Sequence, residues 1–512
     1  MNKYLGLDLS TQGLTATAID CDLASIDFCE SVNFGKDLPE YESPNGFIAR
    51  DAEVYKQYHA NPIMWLEALD LLFSRIVAKG YDLSLISGIS GCAQQHATVY
   101  LNANFKKALN MSGSGNLCDI FKDSFSRSVS PIWLDTNTSL ECAQMAASVG
   151  GDFVARKKTG SPMTERFSAA QIRKFFKTDN AKYNATDVIH LASSFLCSVL
   201  CGHSVPIDYG DGAGMNLFNL DSLEADSDMI SACADGLAPK LPPFAPSKTI
   251  CGTLSPYYKK YGFNEVPIML FSGDNPSSLV GMGASENGAA VISLGTSDTY
   301  FATSAQYVSN NNACGHVFGN PMGGFMSLFC FRNGSLARDF VRQKLSMTWS
   351  QFDCTYLNSQ IGSETILPFI FDEITPKSKA VNIEIPANSC REKSDFVNLF
   401  LQSQFLNMRC QTQELGTPKK ILLTGGASKS EGIGHLIADI FGCGVERISI
   451  SNSASLGGAM RIANRSFSMA KLADMFCKSK DCATIMPNDK KKALFDDKLR
   501  LYAEKLKEFI KR

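Results

Sequence analysis

A chain of 512 residues, 45% hydrophobic and 20% charged, has the composition of a folded globular protein and is long enough for two or more domains. Its 49 basic and 51 acidic side chains leave a formal net charge of −2, which gives no footing for a nucleic-acid or anionic-membrane partner. The 17 cysteines are scattered and never spaced C-x-x-C, so neither a zinc ribbon nor a thioredoxin-like site is spelled, and free thiols in such number fit a reducing compartment. The N-terminus enters a strand-like run, "MNKYLGLDLS", with no room for a signal peptide, and the longest apolar run, "VIHLASSFLCSVL" from 188, is too short to span a bilayer. A cytoplasmic protein is expected.

In chain order, "YLGLDLS" and "LTATAID" are strand-like runs around the polar turn 10–13, which predicts a hairpin. Trp65, Leu69, Leu72 and Ile76 recur at helical spacing between Pro62 and Gly80. "SLISGISGCA" then reads as a buried strand. Farther on, "VPIMLFSGD" is a strand running into the turn-like "SGDNPSS". "AAVISLGTSDTYFAT" is a second strand–turn–strand, and "KKILLTGGASKSEGIGHLIADIFG" is strand, glycine turn and helix. Ile433, Leu436, Ile437 and Ile440 share one face of that helix, with Gly442 or Gly444 at its C-cap. From about 490, Phe495, Leu499, Tyr502, Leu506 and Phe509 form one stripe among lysines, an amphipathic terminal helix that packs on the body. The alternation predicts a layered α/β fold. A weak internal repeat supports two similar domains: aligned on Leu9 and Leu294, Ser10-Thr11 falls on Gly295-Thr296, and Asp8 on Ser293.

Turns rich in Gly, Ser and Thr present several backbone N–H groups to one point, as a phosphate requires. The turns at 10–13 and 295–298 are of this kind, with hydroxyls from Thr11 and Thr296; each alone is also an ordinary hairpin turn. Asp8, at the end of the first strand, either caps its own turn or holds Mg²⁺ through water. Gly425 and Gly426 in "TGGASKSEG" allow a ring or phosphate close to the backbone, although the run is neither a Walker A loop nor G-x-G-x-x-G. His96 and Arg166 are each read as a surface or structural residue, or as a donor to a polar substrate. Asp274 is turn punctuation or a strand-end carboxylate.

Together these pieces resemble the FGGY carbohydrate kinases, of the actin/hexokinase superfamily of two-domain ATPases. The carriers are "GLDLSTQGLTATAID", "SGCAQQHATVY", "PIWLDTNTS", "FSGDNPSSLVGMG", "ISLGTSDTYF" and the long run from "LLTGGASKSEG" to "SLGGAMRIA". "SVNFGKDLPEY" at 31–41 and "PIDYGDGAGMNL" at 206–217 point within the family to the animal-type enzymes acting on D-xylulose. The resemblance implies two actin-like, RNase H-like domains with a cleft between them: 1–268 for the sugar, and 269–512 for the nucleotide, the latter carrying the terminal helix. It implies transfer of phosphate from ATP, with Mg²⁺, to the 5-hydroxyl of D-xylulose. Asp274 becomes the general base, while His96, Arg166 and Asn275 bind sugar. Thr11, Gly295, Thr296, Trp349, Gly425, Gly426, Ala427 and Ser430 bind the nucleotide, and Asp8 the metal. Another ketose or polyol, such as ribulose or glycerol, is the alternative substrate; an actin- or chaperone-like ATP switch is the alternative class. Monomer and homodimer both stay open. Two residues depart from the family pattern: Ser10 stands where the first loop usually carries glycine, and Ser430 where related animal sequences carry Asn.

Overall fold

The computed structural model describes residues 2–50, 57–110, 115–284, 286–308, 315–358, 361–386, 389–478 and 483–511. The chain forms two compact units. The first comprises Met1–Ser285, Val317–Phe325 and Ser451–Lys478; the second comprises Glu286–His316, Met326–Ile450 and Ser479–Arg512.

In the first unit, β1 (Lys3–Leu9) and β2 (Gly13–Asp20) make the expected hairpin, in register from Lys3–Asp20 to Leu9–Leu14. With β3 (Ser25–Asn33), β4 (Ile86–Ala93), β5 (Ile250–Thr253) and β6 (Pro267–Met269) they form a sheet of order β5-β6-β4-β1-β2-β3. A short strand, β7 (Ser272–Gly273), pairs with β4 as well. Strand β1 lies parallel to β4 and is buried along almost its whole length, which explains its near-continuous apolar spelling. β7 is hydrogen-bonded into this sheet, and the first segment of the first unit runs on to residue 285. The helix Pro62–Ala78 covers the sheet's core with Trp65, Leu69, Leu72 and Ile76, the face read from the sequence. It begins where the Asn61 side chain accepts from Ile63 N, with Pro62 at a position whose missing N–H costs nothing.

The "SGDNPSS" run is not a free-standing turn. Asp274 opens the helix Asp274–Gly281 directly after β7. Pro276 is tolerated because first-turn N–H groups have no acceptor within the helix. That helix is seated by Ser453–Ala463, whose chain returns to the first unit from the far end of the sequence. A Cβ on Gly281 would lie 1.9 Å from Ser453 O, and one on Gly457 1.9 Å from Ser277 O, so only glycines let the two backbones meet. From the same returning helix, the buried Arg461 donates to the carbonyls of Gly91, Ser247 and Leu270 at 3.1, 2.9 and 2.6 Å.

The second unit repeats the motif. β8 (Ala289–Leu294) is antiparallel to β9 (Asp298–Ser304) and parallel to β11 (Lys420–Thr424), in a sheet that runs β10 (Phe325–Phe331)-β9-β8-β11-β12 (Gly444–Arg447). Helix Glu431–Phe441 buries Ile433, Leu436, Ile437 and Ile440 and stops at Gly442 (φ 68°). The terminal helix Asp489–Ile510 buries Phe495, Leu499, Tyr502 and Leu506 in this unit's core. The described cysteines are free thiols. No helix among the described residues is long and apolar enough to cross a membrane.

Candidate active site

Strand register brings two carboxylates to one end of the first sheet. Asp8 in β1 is the partner of Cys92 in β4, and Ser272 in β7 pairs with Cys92 from the opposite side. Asp8 and Asp274 thus sit at the carboxyl ends of strands flanking β4, the edge where α/β sheets collect ligands. Asp8 accepts from Ser10 Oγ at 2.6 Å and from Cys92 Sγ at 3.4 Å, so Ser10, the departure from the family glycine, orients the metal candidate. Burial raises the pKa of Asp8 against these two hydrogen bonds.

Asp274 Oδ1 accepts from the backbone N of Asn275 at 2.7 Å and from its Nδ2 at 3.0 Å; Nδ2 also donates to Gln95 Oε1 at 2.9 Å. Burial lifts the carboxyl of Asp274 from 3.8 to about 7, and the Asp8 charge adds to the rise. Two neighbouring acids, Asp8 buried and Asp274 half-buried, resist ionising together.

His96 follows β4 with φ at 72°, left-handed backbone that few residues other than glycine adopt. Its Nδ1 donates to Gly214 O at 2.8 Å, which leaves Nε2 an acceptor. The ring stacks on Phe167, centroids 4.1 Å apart and 24° between planes. Burial, and then the Arg166 charge, push its pKa down to about 3, so the imidazole is neutral at physiological pH. Arg166 itself is half-buried on the segment leading to Phe167.

Four buried polar atoms in this part of the first unit take no hydrogen bond among the described residues: Gln94 Nε2, Gln95 Nε2, Ser272 Oγ and Asp211 Oδ1. Each such atom costs about 1–3 kcal/mol if left unpaired. Both amide donors and carboxylate or hydroxyl acceptors are represented, a mixture that a polyhydroxylated ligand can satisfy. Asp211 accepts from Ser193 Oγ and is pushed far above the carboxylate range, chiefly by burial and further by Asp208 and Asp274. Sequence reasoning did not single out Gln94, Ser193 or Asp211, because their roles follow from side-chain contacts across 18 to 83 residues. The hydroxyl of Thr11 is engaged within the unit: it donates to Gln94 Oε1 at 3.1 Å and accepts from Trp133 Nε1 at 2.8 Å.

The nucleotide candidates gather in the second unit. Strands β8 and β11 are parallel neighbours with Ser293 opposite Thr424, so their terminal loops, 295–297 and 425–430, lie side by side. Gly425 (φ 90°) passes so near Leu294 that a Cβ would meet its carbonyl at 2.5 Å. Gly426 and Ala427 begin a 3₁₀ turn, and Ser430 then caps Glu431–Phe441 by accepting from Ile433 N at 3.3 Å. Ser430 also holds down the carboxyl of Asp353, whose pKa burial raises, at the end of the short helix Trp349–Asp353. Trp349, 44% exposed, opens that helix, with the Arg342 guanidinium 5.0 Å from its ring centroid. Thr296 is exposed. Behind the first loop, a buried bidentate pair between Arg338 and Asp298, both contacts 2.8 Å, ties β9 to the helix Ser335–Lys344.

Asp8 is chemically suited to Mg²⁺. It is a single carboxylate crowded by a second buried acid, and a cation there relieves the repulsion. Mg²⁺ keeps most of its waters and asks the protein for only one or two carboxylates. No cluster of three or more potential ligands occurs among the described residues.

A half-buried carboxyl poised near neutrality, with an unsatisfied amide beside it and a glycine turn elsewhere in the chain, is a site of the kind that phosphoryl transfer uses. Comparison with known proteins makes the class specific. Residues 126–281 match the N-terminal domain, and 290–465 the C-terminal domain, of the FGGY family of carbohydrate kinases. A xylulose kinase of Rattus norvegicus is 37% identical over 478 residues, 89% of this chain and 87% of that one. A xylulose kinase of Arabidopsis thaliana is 35% identical over 489 residues, 90% and 87% of the two chains. The solved xylulose kinase of Rhodospirillum rubrum superposes over all of both chains with a TM-score of 0.81 at 15% identity, a likeness of fold. The chain belongs to the FGGY family of carbohydrate kinases, and its two units have that family's actin/hexokinase-like architecture.

Proposed function

We propose that the protein transfers the γ-phosphoryl group of ATP to the 5-hydroxyl of D-xylulose, giving D-xylulose 5-phosphate and ADP, with Asp274 as general base. The observation that carries this reading is the state of Asp274: half-buried, lifted to about 7, and held by Asn275 among groups with hydrogen-bonding capacity to spare. A base with a pKa near the working pH is both ionised and basic enough to accept a hydroxyl proton, an effect typically worth about 10²–10⁴ in rate. The choice of sugar rests on the relatives named above as xylulose kinases.

Asn275, the Nε2 acceptor of neutral His96, and Arg166 would bind sugar hydroxyls. Asp8 would hold Mg²⁺ through water, with its carboxylate aimed by Ser10 and Cys92. Bound Mg²⁺-ATP supplies the phosphoryl group and neutralises its developing charge, so the protein's task is largely positioning. Thr11 in the first unit, and Gly295 and Thr296 in the second, would donate to phosphate oxygens; Gly425, Gly426 and Ala427 would let the nucleotide approach the backbone, and Trp349 would offer its face to adenine. Ser430 serves this site through the turn that it caps.

ADP release measured against D-xylulose, ribulose and glycerol, with and without Mg²⁺, tests the substrate. The expected outcome is Mg²⁺-dependent turnover highest with D-xylulose; a higher kcat/KM for another sugar would reassign it. Asp274→Ala should bind ATP normally and lose at least a hundredfold in turnover, and sugar phosphorylation near the wild-type rate would remove Asp274 from its role.

A further inference from the structure

A cavity of about 540 Å³ opens in the first unit, between the strand Gln57–Ala60, the segment 125–129 and the helix Ser168–Thr178. Asp8, His96, Arg166, Asp274 and Asn275 are not among its walls. Its charges are unevenly matched. The Arg127 guanidinium lies over the rings of Tyr100 and Phe175, 5.3 and 5.2 Å from their centroids, and reaches His59 Nε2 at 3.4 Å. No carboxylate pairs with it among the described residues. Lys174 donates to Asn137 O at 2.8 Å and likewise makes no ion pair among them. The acids of the cavity are already engaged. Asp179 pairs with Lys182 at 2.9 Å, and Asp135 accepts from Tyr58 N, Asn137 N and Gln171 Nε2 and pairs with His59 at 3.2 Å. Two cations that form no ion pair among the described residues therefore line one cavity, Lys174 within the field of Asp135 and Arg127 within that of Asp179, beside Phe125 and the buried Phe175.

The volume suits a small organic molecule and far exceeds an inorganic anion. A guanidinium lying over aromatic rings keeps its remaining N–H groups for a planar or tetrahedral oxyanion, and Arg with Lys is a pairing that recognises phosphate. We propose that this cavity binds the phosphate monoester of a ring-bearing metabolite, its dianion between Arg127 and Lys174 and its ring against Phe125. The inference does not rest on the function proposed above, since binding here is read without turnover.

Calorimetric titration of the full chain with inorganic phosphate, ribose 5-phosphate and AMP tests it. The expected result is that at least one ester binds tenfold or more tighter than inorganic phosphate; the tighter ester distinguishes a sugar phosphate from a nucleotide. Arg127→Gln should weaken that binding at least tenfold. Ser128→Glu, which adds a carboxylate at an exposed position of the rim, should do the same without touching the packed guanidinium. His96→Asn, at the other site, should leave it unchanged. The proposal is overturned if neither ester binds tighter than inorganic phosphate, if both rim variants bind like wild type, or if His96→Asn is the variant that weakens binding.

Discussion

Replacing Asp274 by Asn should make the protein more stable at alkaline pH while removing its activity. In the folded chain the carboxyl titrates at about 7 against an ordinary value of 3.8, mainly because it is buried. A carboxyl whose folded pKa is raised contributes stability that is complete below its unfolded pKa and lost as pH rises through the folded one. The wild type therefore loses stability between about pH 4 and pH 7, by at most about 4 kcal/mol at 1.36 kcal/mol per tenfold change in proton affinity. Asn keeps the shape and a hydrogen-bond acceptor for Asn275 N but has no charge to desolvate. Thermal melts of both proteins at pH 5 and pH 8 check this. The variant's advantage should be small at pH 5 and reach a few degrees in melting temperature at pH 8. An offset of the same size at both pH values, or a variant less stable at pH 8, would refute the argument that Asp274 is held ionised at a cost. Coupled loss of turnover would then place the cost at the catalytic group, where strain and stability commonly trade against function.

The same ionisation predicts that kcat/KM for the sugar falls about tenfold per pH unit below about pH 7, read from ADP release across pH 5–9; no acid limb there would dissociate Asp274 from catalysis. His96→Asn tolerates the left-handed backbone but loses the ring's Nε2 acceptor and its stack on Phe167, and should raise the sugar KM roughly 10- to 100-fold with a lesser change in kcat. Asp298→Ala leaves the Arg338 guanidinium buried without its partner, and denaturant unfolding should show a loss of about 3–5 kcal/mol. Ser430→Ala removes a helix cap and should cost about 1 kcal/mol by the same measurement, with the sugar KM unchanged.

Much of the fold was legible locally. The hairpins at 3–20 and 289–304, the helix after Pro62, the helix face through Ile433 and Ile440 and the stripe of the terminal helix all follow from period and punctuation, because each element buries one continuous surface. "SGDNPSS" shows where local spelling stopped: Gly, Asn and Pro are turn formers, but Pro is equally at home in a helix's first turn. Only the seating of Asp274–Gly281 on β4 and on Ser453–Ala463 selects the helix.

The sequence by itself determined the chemistry available: a strand-end Asp8, a QQH run, the Gly-Asp-Asn segment, the two-glycine turn, and a family pattern that names their kind. The tertiary structure alone decided which of these groups meet, and in what state. Burial lifted Asp274 and neutralised His96, strand register put Asp8 beside the same edge, and a helix from residue 453 locked the site from nearly 200 residues away. Proton affinity depends on desolvation and on neighbouring charge, and both are properties of packing that no stretch of sequence carries alone.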